Sequence, residues 1–177
     1  MGKAKGSVVL SAVKLLRAQK EAGRKAVPPS LLKYLDERVV VAAWYPEEDL
    51  YALILACAAT FPSQSDSVFD VMGAGTARLH LEGGVYGDLL KKDTAHRARV
   101  IWRAQHDTGD MAVTEETEKS ATYELSGFDH ATPKYCRVIG GYFAEVHRLT
   151  GARKPTHTHP LCRASGGHLC RYVISWS

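Results

Sequence analysis

An α+β fold, with amino-terminal helices packed on an antiparallel sheet, is what this 177-residue chain predicts. Three observations lead there. Before Gly109 the apolar residues recur mostly at helical spacing, after it they alternate, and one long helical pattern then separates two strand pairs. Helices first, then a hairpin, a helix and a closing hairpin is the segregation of α+β, not the alternation of a doubly wound parallel sheet.

The elements follow in order. Val8, Val9, Ala12, Val13, Leu15 and Leu16 line one face of a first amphipathic helix, with Lys14, Arg17 and Lys20 off that face and an end near Gly23. Pro28 and Pro29 break it, and Ser30 is placed to cap a short helix carrying Leu31, Leu32 and Leu35. Trp44-Tyr45-Pro46-Glu47-Glu48-Asp49 opens the next helix: proline suits a helix start, and three carboxylates in the first turn oppose the dipole. Leu50, Leu53, Ile54 and Cys57 share its apolar face, which makes Cys57 a core thiol. Asp66 or Ser67 caps a helix through Val68, Phe69, Val71 and Met72. Gly73-Ala74-Gly75 follows without a preceding strand or a third glycine, so dinucleotide binding is rejected. Gly83-Gly84 marks a turn, and Thr94 begins a helix through Trp102. Strands are expected over 111–117 and 121–125, a helix from Pro133 to near Gly151, and closing strands over 156–159 and 169–176.

Composition sets the class. With 45% hydrophobic and 24% charged residues the chain is neither disordered nor membrane-spanning, and its length suits one domain over 1–177. The start carries no apolar secretory stretch, and Gly6 stands where a myristoylation signal needs Ser or Thr. A cytoplasmic location is expected, in which four cysteines act as thiols or metal ligands. Residues 1–25 hold seven basic groups and one acidic, a balance of +6, whereas 26–177 hold 16 basic and 18 acidic, a balance of −2. The basic helix within 1–27 is therefore a candidate interface, and no nucleic-acid-binding motif accompanies it.

The chemistry concentrates late. His157, His159, Cys162, His168 and Cys170 lie within 15 residues, and Ser165-Gly166-Gly167 supplies a turn that folds Cys170 back beside Cys162. Cys136, just after Pro133, sits in a first helical turn, which favours thiolate. Zinc takes four sulfur and nitrogen donors in such settings. The residues alone leave the histidine ligand open, with His157 competing against His159 and His168 expected to face solvent.

Cys136, the Gly141-Tyr142 step, Cys162, Cys170 and Arg171-Tyr172-Val173 together resemble the carboxy-terminal part of 4-vinyl-reductase-like sensor domains, over residues 133–176. Such domains occur in phenol-responsive bacterial transcription activators and as stand-alone small-molecule-binding proteins. Their fold group is similar to haem–nitric-oxide-binding domains and to TRAPP vesicle-tethering subunits. The resemblance implies a structural zinc on Cys136, Cys162 and Cys170, with His159 where the family has an acidic ligand. Glu145 also departs from the family, which has a small residue there.

The resemblance further implies a pocket for a small apolar or aromatic ligand, with Trp102, His106, Tyr123, Phe69 and Met72 as the favoured liners among aromatic candidates that include Trp44, Tyr45 and Tyr86. The expected function is a non-catalytic sensor or adaptor acting through a partner protein, for instance in transcription regulation, as a homodimer and without membrane insertion. No carboxylate among Glu115, Glu116, Glu124 and Glu145 falls in a catalytic pattern. The alternatives are a haem or gas sensor of the same fold group, or a dimerisation module. Related haem sensors hold the propionates with Tyr-x-Ser-x-Arg, which is absent here, leaving His80, His96 and His106 as candidate axial ligands.

Overall fold

A computed structural model describes residues 2–61, 67–81, 89 and 92–177. Among these the elements run β1 (Lys3–Lys5), α1 (Gly6–Ala18), α2 (Lys20–Ala26), a 3-10 turn (Pro29–Leu31), α3 (Lys33–Asp36), β2 (Trp44–Pro46), α4 (Glu47–Ala59), α5 (Ser67–Leu81), α6 (Thr94–Gln105), β3 (Asp110–Glu116), β4 (Ser120–Ser126), α7 (Pro133–Leu149), β5 (Thr156–Leu161) and β6 (Cys170–Ser175). The fold is α+β, as its sequence predicts.

The first helix is really two. α1 buries Val9, Ala12, Val13 and Leu16, ends at Ala18, and α2 restarts where Lys20 takes φ of 47°. Most of the apolar face of α1 is thus packed into the core, while Val8 and Leu15 are half-buried. Ser30 caps nothing, because α3 follows a 3-10 turn whose proline already sets the backbone. Residues 44–46 are not helical but pair with 3–5 as a short antiparallel ladder, and Pro46 is the N-cap of α4. Cys57 is buried in the core, its thiol bonded to Ala12 O at 3.4 Å and pushed up to about 12 by desolvation. Asp66, the Gly83-Gly84 turn and Tyr86 lie outside the described residues.

α5 runs straight through Gly73-Ala74-Gly75. A Cβ on Gly73 would stand 2.0 Å from Val138 O, so the absent side chain lets α5 lie against α7. Thr132 caps α7, accepting the Tyr135 N–H at 3.2 Å, and almost every face of this helix is buried. The main sheet has the order β3–β4–β6–β5, all neighbours antiparallel. Tyr123 faces Tyr172 and Leu125 faces Cys170 across β4 and β6. Between Thr158 and Leu161 the register of β5 shifts, so His159 sits at an irregularity in the ladder.

Candidate functional site

Three elements converge on one cluster. The start of α7 carries Cys136, β5 carries His159 with Cys162 just beyond its end, and β6 opens with Cys170. Their donor atoms all lie within 4.8 Å of one another. Cys136 Sγ and Cys170 Sγ are 3.8 Å apart. The edge of a tetrahedron with Zn–S bonds of about 2.3 Å is also about 3.8 Å.

Local folding explains the arrangement. After Cys162 a 3-10 turn (Arg163–Ser165) reverses the chain, closed by Gly166 at φ of 89°. The N–H groups of Ser165 and Gly167 both donate to Cys162 O, at 3.1 and 2.9 Å. The Arg163 N–H donates to Cys170 Sγ at 3.4 Å, a contact that favours a thiolate. With Cys136 donating toward it, Cys170 is pushed down to about 4, aided by His159 and the Arg163 amide, while Cys136 is driven up. The His159 ring stacks on Tyr172 with centroids 4.6 Å apart, and its buried Nε2 has no hydrogen-bond partner among the described residues. A buried imidazole nitrogen left without a partner among three thiols fits a metal ion, which would complete its coordination.

His157 is drawn elsewhere. Its Nε2 meets Asp70 Oδ1 of α5 at 2.9 Å, and Arg137 holds the other carboxylate oxygen. A Cβ on Gly140 would lie 2.3 Å from the His157 ring, so glycine makes room for this latch. His168 is exposed in the turn after the 3-10 segment, as expected, and the cluster does not include it. Glu145 is buried against Arg78 at 2.5 Å and Arg148 at 2.8 Å, an ionic anchor on α7.

A cavity of about 50 Å³ lies between α1, α5, α6 and α7. Trp102 and His106 line it, whereas Phe69, Met72 and Tyr123 do not. Phe69 is core, Met72 borders an apolar groove between α1 and α5, and Tyr123 packs on Phe143 with its hydroxyl 2.6 Å from His147 Nε2. Trp44 is exposed, while Tyr45 packs edge-on against Tyr34 beside a separate surface pocket. His80, Tyr135 and Tyr142 are among the other residues of the wall, and sequence spacing offered no signal for them.

Glu47 is the unexpected residue behind this wall. It is fully buried at the start of α4, where its carboxylate Oε1 accepts from Tyr135 at 3.0 Å and from His106 Nδ1 at 2.8 Å. Oε2 has no hydrogen-bond partner among the described residues. Trp102 stacks on His106 with centroids 4.1 Å apart and donates its indole N–H to Thr108 O at 2.9 Å. The phenol of Tyr135 is raised far above its usual range by burial and the Glu47 charge. His80 touches Tyr142 at 3.1 Å, and desolvation pushes it down to about 4. His96 lies on the exposed side of α6.

No protein-family model matches the sequence, and no curated protein matches it either. Solved structures do match over nearly the whole chain. An H-NOX protein from S. oneidensis in its Fe(II)NO ligation state aligns with a TM-score of 0.68 at 16% identity, covering 98% of this chain and 99% of that one. The Fe(II) unliganded H-NOX protein from K. algicida gives 0.66 at 12% identity, covering 98% and 96%. An oxygen-binding H-NOX domain related to soluble guanylate cyclases gives 0.61 at 9% identity, covering 98% and 95%. At such identities the likeness shows the fold: this chain has the architecture of H-NOX domains.

Proposed function

We propose that the chain is a non-catalytic sensing domain of H-NOX-like fold, whose closing hairpin is fastened to α7 by a structural zinc on Cys136, His159, Cys162 and Cys170. The observation that carries the metal is the convergence of four donors from three elements to within 4.8 Å. Four protein donors fill a tetrahedron, which leaves no position for a hydrolytic water and suits a structural role. The resemblance to 4-vinyl-reductase-like domains supports the same donors, and the helical cleft around Trp102 and His106 is where a small ligand would act. Output through a separate partner, in transcription regulation or other signalling, and a cytoplasmic setting that keeps the thiols reduced, belong to this proposal.

A second reading, a haem-based gas sensor, is favoured by the structural neighbours, whose descriptions name Fe(II)NO and oxygen ligation. Haem demands both room and an axial ligand. A cavity of about 50 Å³ falls well below the roughly 300–1,000 Å³ of cofactor-sized pockets. Of the three candidate axial histidines, His96 faces outward, while His80 and His106 are buried at the cavity with Nδ1 held by Tyr142 and Glu47, an arrangement in which Nε2 is the nitrogen that would meet iron. Among the described residues it is the size of the cavity, and not the histidines, that fails to fit the group. Metal analysis and an absorption spectrum of the purified protein separate the readings. One zinc per chain without a Soret band supports the first, and a stoichiometric Soret band assigns the second.

A further inference from the structure

Residues 37–43 join α3 to β2, and from Val40 to Trp44 most apolar side chains point away from the core. Val40 is 54% exposed, Val41 51% and Trp44 40%, with Ala42 exposed between them. Half of the six large hydrophobic residues exposed among the described residues therefore lie within five positions. Clustering of this kind marks a contact surface, whereas scattered exposure does not.

The loop is firmly built. The first turn of α1 has amide donors without helical partners, and Gly6 and Ser7 give theirs to Ala43 O at 2.8 Å and Val41 O at 3.1 Å. Lys5 Nζ donates to Ala42 O at 3.0 Å, and the Ala43 N–H to Val40 O at 3.1 Å. The Val40 N–H donates to the Tyr45 hydroxyl at 2.8 Å. A Cβ on Gly6 would stand 2.1 Å from Val40 O, so only glycine allows the loop to sit so close to the helix. The carbonyls of residues 40–43 are thus satisfied from below while the side chains face out. Val39, buried, anchors the loop beneath.

Basic side chains flank the apolar tip, with Glu37 exposed beside them. Residues 1–39 contain nine basic and three acidic groups, a balance of +6 against +4 for the whole chain. Lys3, Lys33 and Arg38 are exposed, and the Lys5 ammonium lies 4.1 Å from the Trp44 ring centroid.

We propose that this loop docks the protein peripherally on an anionic lipid surface, with Val40, Val41 and Trp44 entering the interface and the basic residues meeting the headgroups. A lipid surface is charged outside and apolar beneath, which complements an apolar tip flanked by Lys5 and Arg38. Tryptophan is the side chain that settles at headgroup depth. Backbone carbonyls already paired can leave water at little cost. Nucleic acid would complement the charge but offer the two valines little to bury against. The contact is peripheral, since no helix among the described residues is long and apolar enough to cross a membrane.

Sedimentation of the full chain with vesicles tests this. Equimolar phosphatidylcholine–phosphatidylserine vesicles should bind the protein at low salt, and pure phosphatidylcholine vesicles should not. Val40→Asp/Val41→Asp should weaken binding about tenfold or more. Val40→Ser/Val41→Ser should do so to a smaller extent, with both variants keeping the wild-type circular dichroism because the altered residues are exposed. Absence of binding to the anionic vesicles overturns the proposal, as does equal binding by the aspartate variant. Retention on double-stranded DNA without vesicle binding would reassign the basic segment to nucleic acid. A dimer in lipid-free solution, abolished by the aspartate variant, would reassign the patch to a second copy.

Discussion

Replacing Cys170 with serine strikes the proposed zinc site at its centre. Cys170 Sγ lies 3.8 Å from Cys136 Sγ, receives the Arg163 amide, and is buried at the start of β6. A structural zinc contributes roughly 10–16 kcal/mol of apparent binding free energy, which over four donors is about 2.5–4 kcal/mol each. Serine stays protonated at neutral pH and supplies no thiolate, so the affinity for zinc should fall about 10²–10³-fold. A loss of about 3 kcal/mol in a domain of this size lowers Tm by about 6–12 °C. Elemental analysis gives the zinc content, and scanning calorimetry with and without a chelator gives the coupling to folding. Cys57→Ser is the control, because that thiol lies in the helical core and should leave the metal in place. Retention of one zinc per chain by the Cys170 variant would refute the assignment. So would a wild-type protein without zinc whose melting ignores the chelator.

Two further predictions concern stability. Burial holds His80 and His147 down to about 4 against an ordinary 6.5, so between those values the unfolded chain binds more protons than the folded one. Their contribution is full above pH 6.5 and is lost as pH falls toward 4, on the order of 1.4 kcal/mol per unit of difference and per residue. Calorimetry on metal-free protein should show this slope, His147→Gln should flatten part of it, and a Tm constant across that range would contradict it. Gly73→Ala, whose Cβ would meet Val138 O at 2.0 Å, should cost about 3 kcal/mol or more. Gly75→Ala, with nothing within 4 Å, should instead stabilise by about 0.5–1 kcal/mol, and denaturant titration of the pair distinguishes packing from helix propensity.

What the sequence revealed depended on how local the signal was. The thiols and imidazoles of the cluster are close along the chain, and the strands that carry them alternate cleanly. His157 and His159 look equivalent in that pattern; the irregularity of β5 and the distant Asp70 separate them. The run Gly73-Ala74-Gly75 resembles a break, yet α5 continues because α7 requires a residue without a side chain there. β1 and β2 are three residues each, too short for alternation to register. Phe69, Met72 and Tyr123 were as plausible as cavity liners as Tyr135 or Tyr142, since aromatic and sulfur side chains fill cores and pockets alike. Glu47 reads as one of three first-turn carboxylates, and its partner His106 is 59 positions away.

Glu47 ties the cavity to the cluster, and its removal has consequences at both. Tyr135 holds the Glu47 carboxylate, and the next residue, Cys136, holds the hairpin through the cluster. Both sit in the first turn of α7, whose N–H groups are bound to Thr132, so neither can shift without the other. Glu47→Ala leaves His106 and the Tyr135 hydroxyl buried without their acceptor, at a cost of about 3–5 kcal/mol. Glu47→Gln keeps an oxygen for one donor and should cost less. If α7 transmits the disturbance, the visible absorption of the cobalt-substituted protein should change in the alanine variant, although no ligand of the metal has been altered. A destabilised variant with an unchanged cobalt spectrum would mean that the cleft and the cluster share a helix without sharing a state. Ligand occupancy in the cleft could then not be read out at the hairpin.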